Sequence, residues 1–199
     1  EKANVNNNVV LSLACRNEMD EVADKLLNFD SVKEKLALRR NYAFRASCGN
    51  NMGNLALRLF EFESVKENAA VLDNQALSSA IKNEMHEVVD ALLDLECTQE
   101  HAAASGNAAL LYACQNNMTE VALNLLGLEC VQREAAAGDN HALRAACQNR
   151  LERVALKLLE LECVQKEAAA RNNQALREAC AHRMERVTLD LLKIKEVRA

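Results

Sequence analysis

Residues 140–172 read NHALRAACQNRLERVALKLLELECVQKEAAARN, and at Asn173 the same pattern begins again. Asn8, Asn41, Asn74, Asn107, Asn140 and Asn173 stand 33 residues apart. Each is followed by an apolar pair: Val10-Leu11, Ala43-Phe44, Ala76-Leu77, Ala109-Leu110, Ala142-Leu143 and Ala175-Leu176. Cys15, Cys48, Ile81, Cys114, Cys147 and Cys180 recur on the same interval. So do Asn17, Asn50, Asn83, Asn116 and Asn149, each two residues before Met or Leu, with His182 replacing Asn in the sixth copy. Registers that coincide in this way define an internal repeat, and a repeat of this length is one supersecondary unit stacked on copies of itself. The units run approximately over 7–39, 40–72, 73–105, 106–138, 139–171 and 172–199.

Inside the third unit, Asn74 reads as an N-cap whose side chain accepts from a free amide of the first turn. Gln75 to Lys82 then place Leu77, Ala80 and Ile81 on one helical face. Asn83, a residue that tolerates left-handed backbone, closes this first helix. A second helix is expected from about Met85 to Leu95, with Met85, Val88, Val89, Leu92 and Leu93 at helical spacing and Glu87 suited to the positive end of the dipole. Neither helix is long enough to stand alone in water, so each unit must bury its apolar face against its neighbours. The bulk composition agrees: half of the 199 residues are hydrophobic, only 3% are aromatic, and there is no Pro. Such a core is aliphatic and the fold class all-α.

These residues resemble the ankyrin repeat. Its first-helix pattern T-P-L-H-x-A-A corresponds to Gln75-Ala76-Leu77-Ser78-Ser79-Ala80-Ile81, and its N-G-H-L-E-V-V to Asn83-Glu84-Met85-His86-Glu87-Val88-Val89, followed by Leu92-Leu93. The resemblance implies an ankyrin-like repeat solenoid of six helix-turn-helix units. It departs from the family in two respects. The T-P-L-H tetrapeptide is absent from every copy, and the place of the Gly-containing β-hairpin is taken by Glu162-Cys163-Val164-Gln165-Lys166-Glu167-Ala168-Ala169-Ala170, a stretch of high helix propensity. A short third helical turn is therefore expected instead of the hairpin. In this the chain is similar to the degenerate ankyrin-like arrays of large secreted effector proteins of intracellular bacteria, which would place it in a host cytoplasm.

No residue pattern specifies catalysis. The eight cysteines fall on two lattices, the one named above and Cys97, Cys130 and Cys163. There is no C-x-x-C and no zinc-type Cys–His spacing, so no metal is expected. Both lattices fall where the ankyrin pattern has Ala, which implies small buried helix contacts. Equivalent thiols in stacked units would lie about 10 Å apart, beyond disulfide reach. Free thiols in such number imply a reducing, cytoplasmic setting. His86, His101, His141 and His182 occupy four different places in the repeat and recur with no carboxylate partner. No Gly-rich loop is present to cradle a phosphate, so no cofactor is expected. The chain reads as no enzyme in itself. Its start at Glu1 without Met suggests an excised segment and leaves open, as the alternative, a substrate-recruiting region of a larger enzyme. Neither a signal peptide nor a membrane span of roughly 18 apolar residues is visible.

Where the lattice accounts for the core, the residues that vary between copies mark a partner surface. Phe29, Phe44, Phe60 and Phe62 sit at lattice apolar positions and are expected in the core. Tyr42 and Tyr112 do not, and Tyr112 with Leu111 forms an apolar anchor on the outward side of a first helix. By resemblance, the concave face built from first helices and the loops before them also includes Arg45, Lys82, Gln115, Arg144, Gln148 and Arg177. Another protein is the expected partner. Charge divides the chain: residues 1–138 hold 12 Lys and Arg against 20 Asp and Glu, whereas 139–199 hold 12 against 9. Arg144 with Arg177, Arg150 with Arg183, and Arg153 with Arg186 form an expected arginine ladder suited to an acidic ligand surface. Nucleic acid is disfavoured, since the net charge is −5 and exposed aromatics for base stacking are nearly absent. Weak self-association through the first unit is a further expectation, because Val9, Val10, Leu11 and Leu13 are apolar where a terminal unit normally shows a polar face.

Overall fold

The computed structural model describes residues 7–198; the opening segment read above and the side chain of Asn8 lie outside the described residues. Among those described there are helices and no strand. The chain divides into two compact bodies, Glu1–His101 and Ala102–Ala199. The first holds α1 (Asn7–Arg16), α2 (Asp20–Leu26), α3 (Asp30–Lys33), α4 (Leu38–Gly49), α5 (Gly53–Phe60), α6 (Glu63–Lys66), α7 (Val71–Lys82), α8 (His86–Leu93) and α9 (Glu96–Glu100). The second holds α10 (Ala104–Gln115), α11 (Thr119–Leu126), α12 (Glu129–Arg133), α13 (Ala137–Gln148), α14 (Glu152–Leu159), α15 (Glu162–Lys166), α16 (Ala170–Ala181), α17 (Glu185–Lys193) and α18 (Lys195–Arg198). A long, a medium and a short helix thus alternate through each body. Within a body, long helices pack on long ones (α1 on α4 on α7, α10 on α13 on α16) and medium on medium (α2 on α5 on α8, α11 on α14 on α17). No described helix is long and apolar enough to cross a membrane.

The short helix stands where helix propensity predicts a third helical turn. An extended residue, Leu161 (φ −88°, ψ 126°), turns the chain; Glu162 supplies a negative charge in the first turn; and Val164 is buried. Gln99, Gln132 and Gln165 each donate Nε2 back to a carbonyl at the end of the medium helix before them, to Leu93, Leu126 and Leu159 at 2.6–2.7 Å. These bonds satisfy carbonyls that a helix terminus leaves free.

Two expectations about asparagine are corrected. Asn74 is no N-cap: it lies at φ 57°, the last of three left-handed residues with Leu72 and Asp73, and its amide donates Nδ2 to Thr98 O at 2.7 Å. Asn41, Asn107, Asn140 and Asn173 repeat the arrangement onto Val65, Val131, Val164 and Val197, each 24 residues ahead. Asn83 is not the left-handed residue that ends the first helix, having φ −98°. That role falls to Glu84 at φ 55°, after which Met85 N–H bonds back to Ala80 O at 2.9 Å, the reverse turn that commonly closes helices. Asn83 instead donates Nδ2 to Cys48 O and Gly49 O, 2.8 and 3.0 Å away, and so caps the first helix of the unit before it.

Leu77, Ala80, Ile81, Val88, Val89 and Leu92 form the core expected of them. The second helix begins and ends slightly inside its expected span, since Met85 packs as a buried residue just before the first turn. Phe44 is fully buried and meets the half-buried Phe60 at 5.7 Å between ring centroids. Phe29, expected in the core, is exposed. Its equivalent Phe62, which has a unit in front of it, is half-buried.

The buried asparagine generates a graded prediction. Asn140→Gly keeps the left-handed backbone but strands Val164 O, costing about 1–2 kcal/mol. Asn140→Ala adds about 1 kcal/mol more, because a β-carbon is strained at φ 58°. Urea unfolding of the three proteins should rank wild type, Gly and Ala in that order; equal stability of Gly and Ala would show that the turn imposes no backbone demand.

Candidate functional site

Tyr42 and Arg45 are one turn apart on α4 and come together on its solvent side. The Arg45 guanidinium lies 5.6 Å from the Tyr42 ring centroid, within range of a cation–π attraction. Arg45 Nε donates to Arg40 O at 2.8 Å, and Nη1 donates to Gln75 Oε1 of the next unit. The carbonyl of Arg40 is turned toward the guanidinium because Arg39, Arg40 and Asn41 are left-handed. Partial burial draws the Arg45 pKa down from its ordinary value, with Tyr42 opposing that shift and Arg40 adding to it. Tyr42, Arg45 and Gln75, with Arg16, Ala46, Gly49 and Asn50, line a cleft of about 220 Å³. Lys82, at the end of α7, is exposed.

In the second body Leu111 and Tyr112 are half-buried on α10, and Gln115 and Gln148 are exposed at the ends of α10 and α13. Arg144 departs from expectation. It is only 7% exposed, and its guanidinium faces inward along the unit boundary, donating Nη1 to Gln174 Oε1 at 2.9 Å and Nη2 to Gly138 O at 3.1 Å. Desolvation is the first cause lowering its pKa and the nearby Arg171 the second. Burial first, then the charges of Arg144 and Arg171, lower the pKa of His141 beside it.

The expected arginine ladder is also redistributed. Arg177 is exposed but turns Nη2 toward Arg171 O at 3.4 Å. Arg153 pairs with Glu120 of the unit before. Arg150 donates Nε to His182 Nδ1 at 3.2 Å, which puts the imidazole proton on Nε2, 3.7 Å from Glu178 Oε2. These cations find acceptors within the protein, so they offer an acidic ligand fewer free donors than their number suggests.

Gln75 and Gln174 were not singled out by sequence reasoning, yet they hold Arg45 and Arg144. A signal exists: the two units with Arg at 45 and 144 are each followed 30 residues later by Gln, whereas Ser78 and Leu111 are followed by Ala108 and His141. Asn50 and Asn149, which reach back to Cys15 O and Cys114 O at 2.8 and 3.0 Å, were visible only as lattice marks.

The cysteines are all free thiols. Burial pushes Cys15, Cys48, Cys114 and Cys147 up to about 12. The second lattice is less enclosed than expected: Cys97, Cys130 and Cys163 are half-buried, and Cys163 Sγ lies 3.4 Å from Gln132 O. Cys180, equivalent to the four buried thiols, is exposed. Among the described residues no group of three or more His, Cys, Asp or Glu is placed to hold a metal. No family model, curated protein or solved structure matches the chain.

Thiolate is the reactive form, and a pKa of about 12 leaves roughly one thiol in ten thousand ionised at pH 8. With a maleimide under native conditions, Cys180 should be modified first, and Cys15, Cys48, Cys114 and Cys147 only on adding denaturant. Peptide mass spectrometry reads the order; native labelling of Cys147 as fast as Cys180 would contradict the burial described.

Proposed function

We propose that the chain is an ankyrin-like α-solenoid of six units acting as a protein-binding scaffold, with no chemistry of its own. The observation that carries this reading is the Tyr42–Arg45 cleft. Its aromatic ring, guanidinium and glutamine amide are held in place before any partner arrives, by bonds to Arg40 O and Gln75 Oε1. Holding a rotamer-rich arginine in advance removes an ordering cost from association. A ring beside a cation suits a partner segment that carries a carboxylate next to an apolar side chain. Leu111, Tyr112 and Gln115 supply a second, less polar patch in the other body.

Lattice residues form the core and the bonds between units, while several of the residues that differ from copy to copy, Lys82, Gln115, Gln148 and Arg177 among them, are exposed. Arg144 leaves the list of contact residues because its guanidinium is engaged inside the protein. Gln148, Lys82 and Arg177 remain as rim positions.

Partners captured on the immobilised chain and mapped by crosslinking provide the test, repeated with Arg45→Glu and Tyr112→Ala. Loss of the cleft cation should weaken a partner bound there by at least about 30-fold, the scale of an interface hot spot. A partner held equally by both variants and crosslinked elsewhere would remove this surface from consideration.

A further inference from the structure

The body that holds the Tyr42–Arg45 cleft is acidic, with 11 Lys and Arg against 17 Asp and Glu over residues 1–101. The cleft reverses that sign. Arg16 and Arg45 line it, Arg40 places a third cation beside Arg45, and no carboxylate is among the lining residues. The fifth unit shows what is different here. Arg144 is braced on Gln174 as Arg45 is on Gln75, but near Arg144 stands an anion, Asp139, which pairs with Arg171 at 3.1 Å. The residues equivalent to Asp139 and Arg171 in the second and third units are Arg40 and Leu72, between which no ion pair can form. The charge at Arg45 is reinforced where that at Arg144 is offset.

Two helices, α1 and α4, end beside the cleft, and the free carbonyls of a helix end would repel an anion. Both ends are covered. Asn50 donates Nδ2 to Cys15 O and Arg16 O at 2.8 and 3.2 Å, and Asn83 does the same for Cys48 O and Gly49 O. The rest of the lining is the Tyr42 ring, Ala46 and Gly49, and beside Gly49 there is open space, since a β-carbon there would meet nothing within 4 Å. At about 220 Å³ the cleft is smaller than the roughly 300–1,000 Å³ of sites for whole small molecules. It has room for the end of one side chain.

We propose that the cleft takes a phosphorylated side chain of a partner protein, with the phosphate among Arg16, Arg40 and Arg45 and the ester end over Ala46 and Gly49. A carboxylate is matched by a single guanidinium. Three guanidinium groups around one opening supply more charge and more donors than that. A phosphate monoester carries about −1.5 to −2 charge at pH 7 and three acceptor oxygens, enough to engage all three. Arg45 alone is insufficient, because its Nε and Nη1 are held by Arg40 O and Gln75 Oε1 while Nη2 reaches Arg39 O only at 3.5 Å. An extended polyanion is disfavoured by the acidic surface around the cleft. The inference rests on the cleft being the partner surface and names the group that it recognises.

Fluorescence anisotropy of the full chain provides the test, with fluorescein-labelled peptide pools whose randomised flanks surround a central phosphotyrosine, phosphoserine or glutamate. At least one phosphorylated pool should bind tenfold or more tightly than the glutamate pool. Arg16→Gln and Arg40→Gln, both at exposed positions, should each weaken that binding about tenfold. Gly49→Glu should abolish it by setting a carboxylate in the cleft, while its urea midpoint stays close to that of the wild type because the position is exposed and open. Equal binding of the three pools, binding of none, or phosphopeptide binding indifferent to these three substitutions would overturn the proposal. A captured partner released by Arg45→Glu but still held after phosphatase treatment would keep the cleft as a partner surface and remove the phosphate from it.

Discussion

One side-chain amide sets the geometry of each unit from the second to the sixth. The lattice asparagine sits at the end of a left-handed triplet and donates into the short helix 24 residues ahead, as Asn74 does to Thr98 O. The start of a unit is thereby tied to its finish. Without that bond, three consecutive residues at positive φ would be an unsupported strain, since L-residues disfavour this region by about 1 kcal/mol or more each. Where the triplet contains Gly106 or Gly138 the strain is relieved; where it contains Leu72 or Arg171 the amide and its surroundings must hold it. The second asparagine lattice does the complementary task between units, carrying Asn50 and Asn83 to the free carbonyls of the helix before. Helices of eight to twelve residues are marginal alone. They persist here because both their ends and their apolar faces are completed by neighbours.

That completion decides which side chains remain for binding. Arg45 and Arg144 occupy equivalent places and make equivalent bonds, to a glutamine 30 residues on and to a carbonyl of the left-handed triplet. The first lies beside Tyr42 and borders an open cleft, while the second is enclosed. A guanidinium bonded to both a glutamine and a carbonyl braces the unit boundary as much as it recognises anything outside. The same holds for Arg153 and Arg150, whose acceptors Glu120 and His182 lie in adjoining units. Charge at a position in the repeat is therefore a poor guide to charge presented to solvent.

Much of this protein was legible in the spacing of its residues. Leu77, Ala80, Ile81, Val88 and Leu92 were placed in the core from helical periodicity, which is a property of the chain alone. The short helix at Glu162 to Lys166 followed from propensity. Tyr42 and Tyr112 were recognised as departures from the lattice. The role of the asparagines was misread, because a capping acceptor and a buried donor are the same residue in a sequence; only the direction of the amide separates them. Phe29 was misplaced because its position is apolar in several units, and a pattern does not say whether a neighbour stands in front.

The sequence by itself determined the helices, their order and the 33-residue register, since all three follow from the periodicity and intrinsic preferences of contiguous residues. The tertiary structure decided which way each asparagine points, that Arg144 lies inside and Arg45 at a cleft, and that Cys180 is open where Cys147 is closed. The physical reason is that burial and hydrogen-bond partnership are set between residues some 24 to 35 apart. Identical positions in the repeat acquire different environments according to what the neighbouring unit provides.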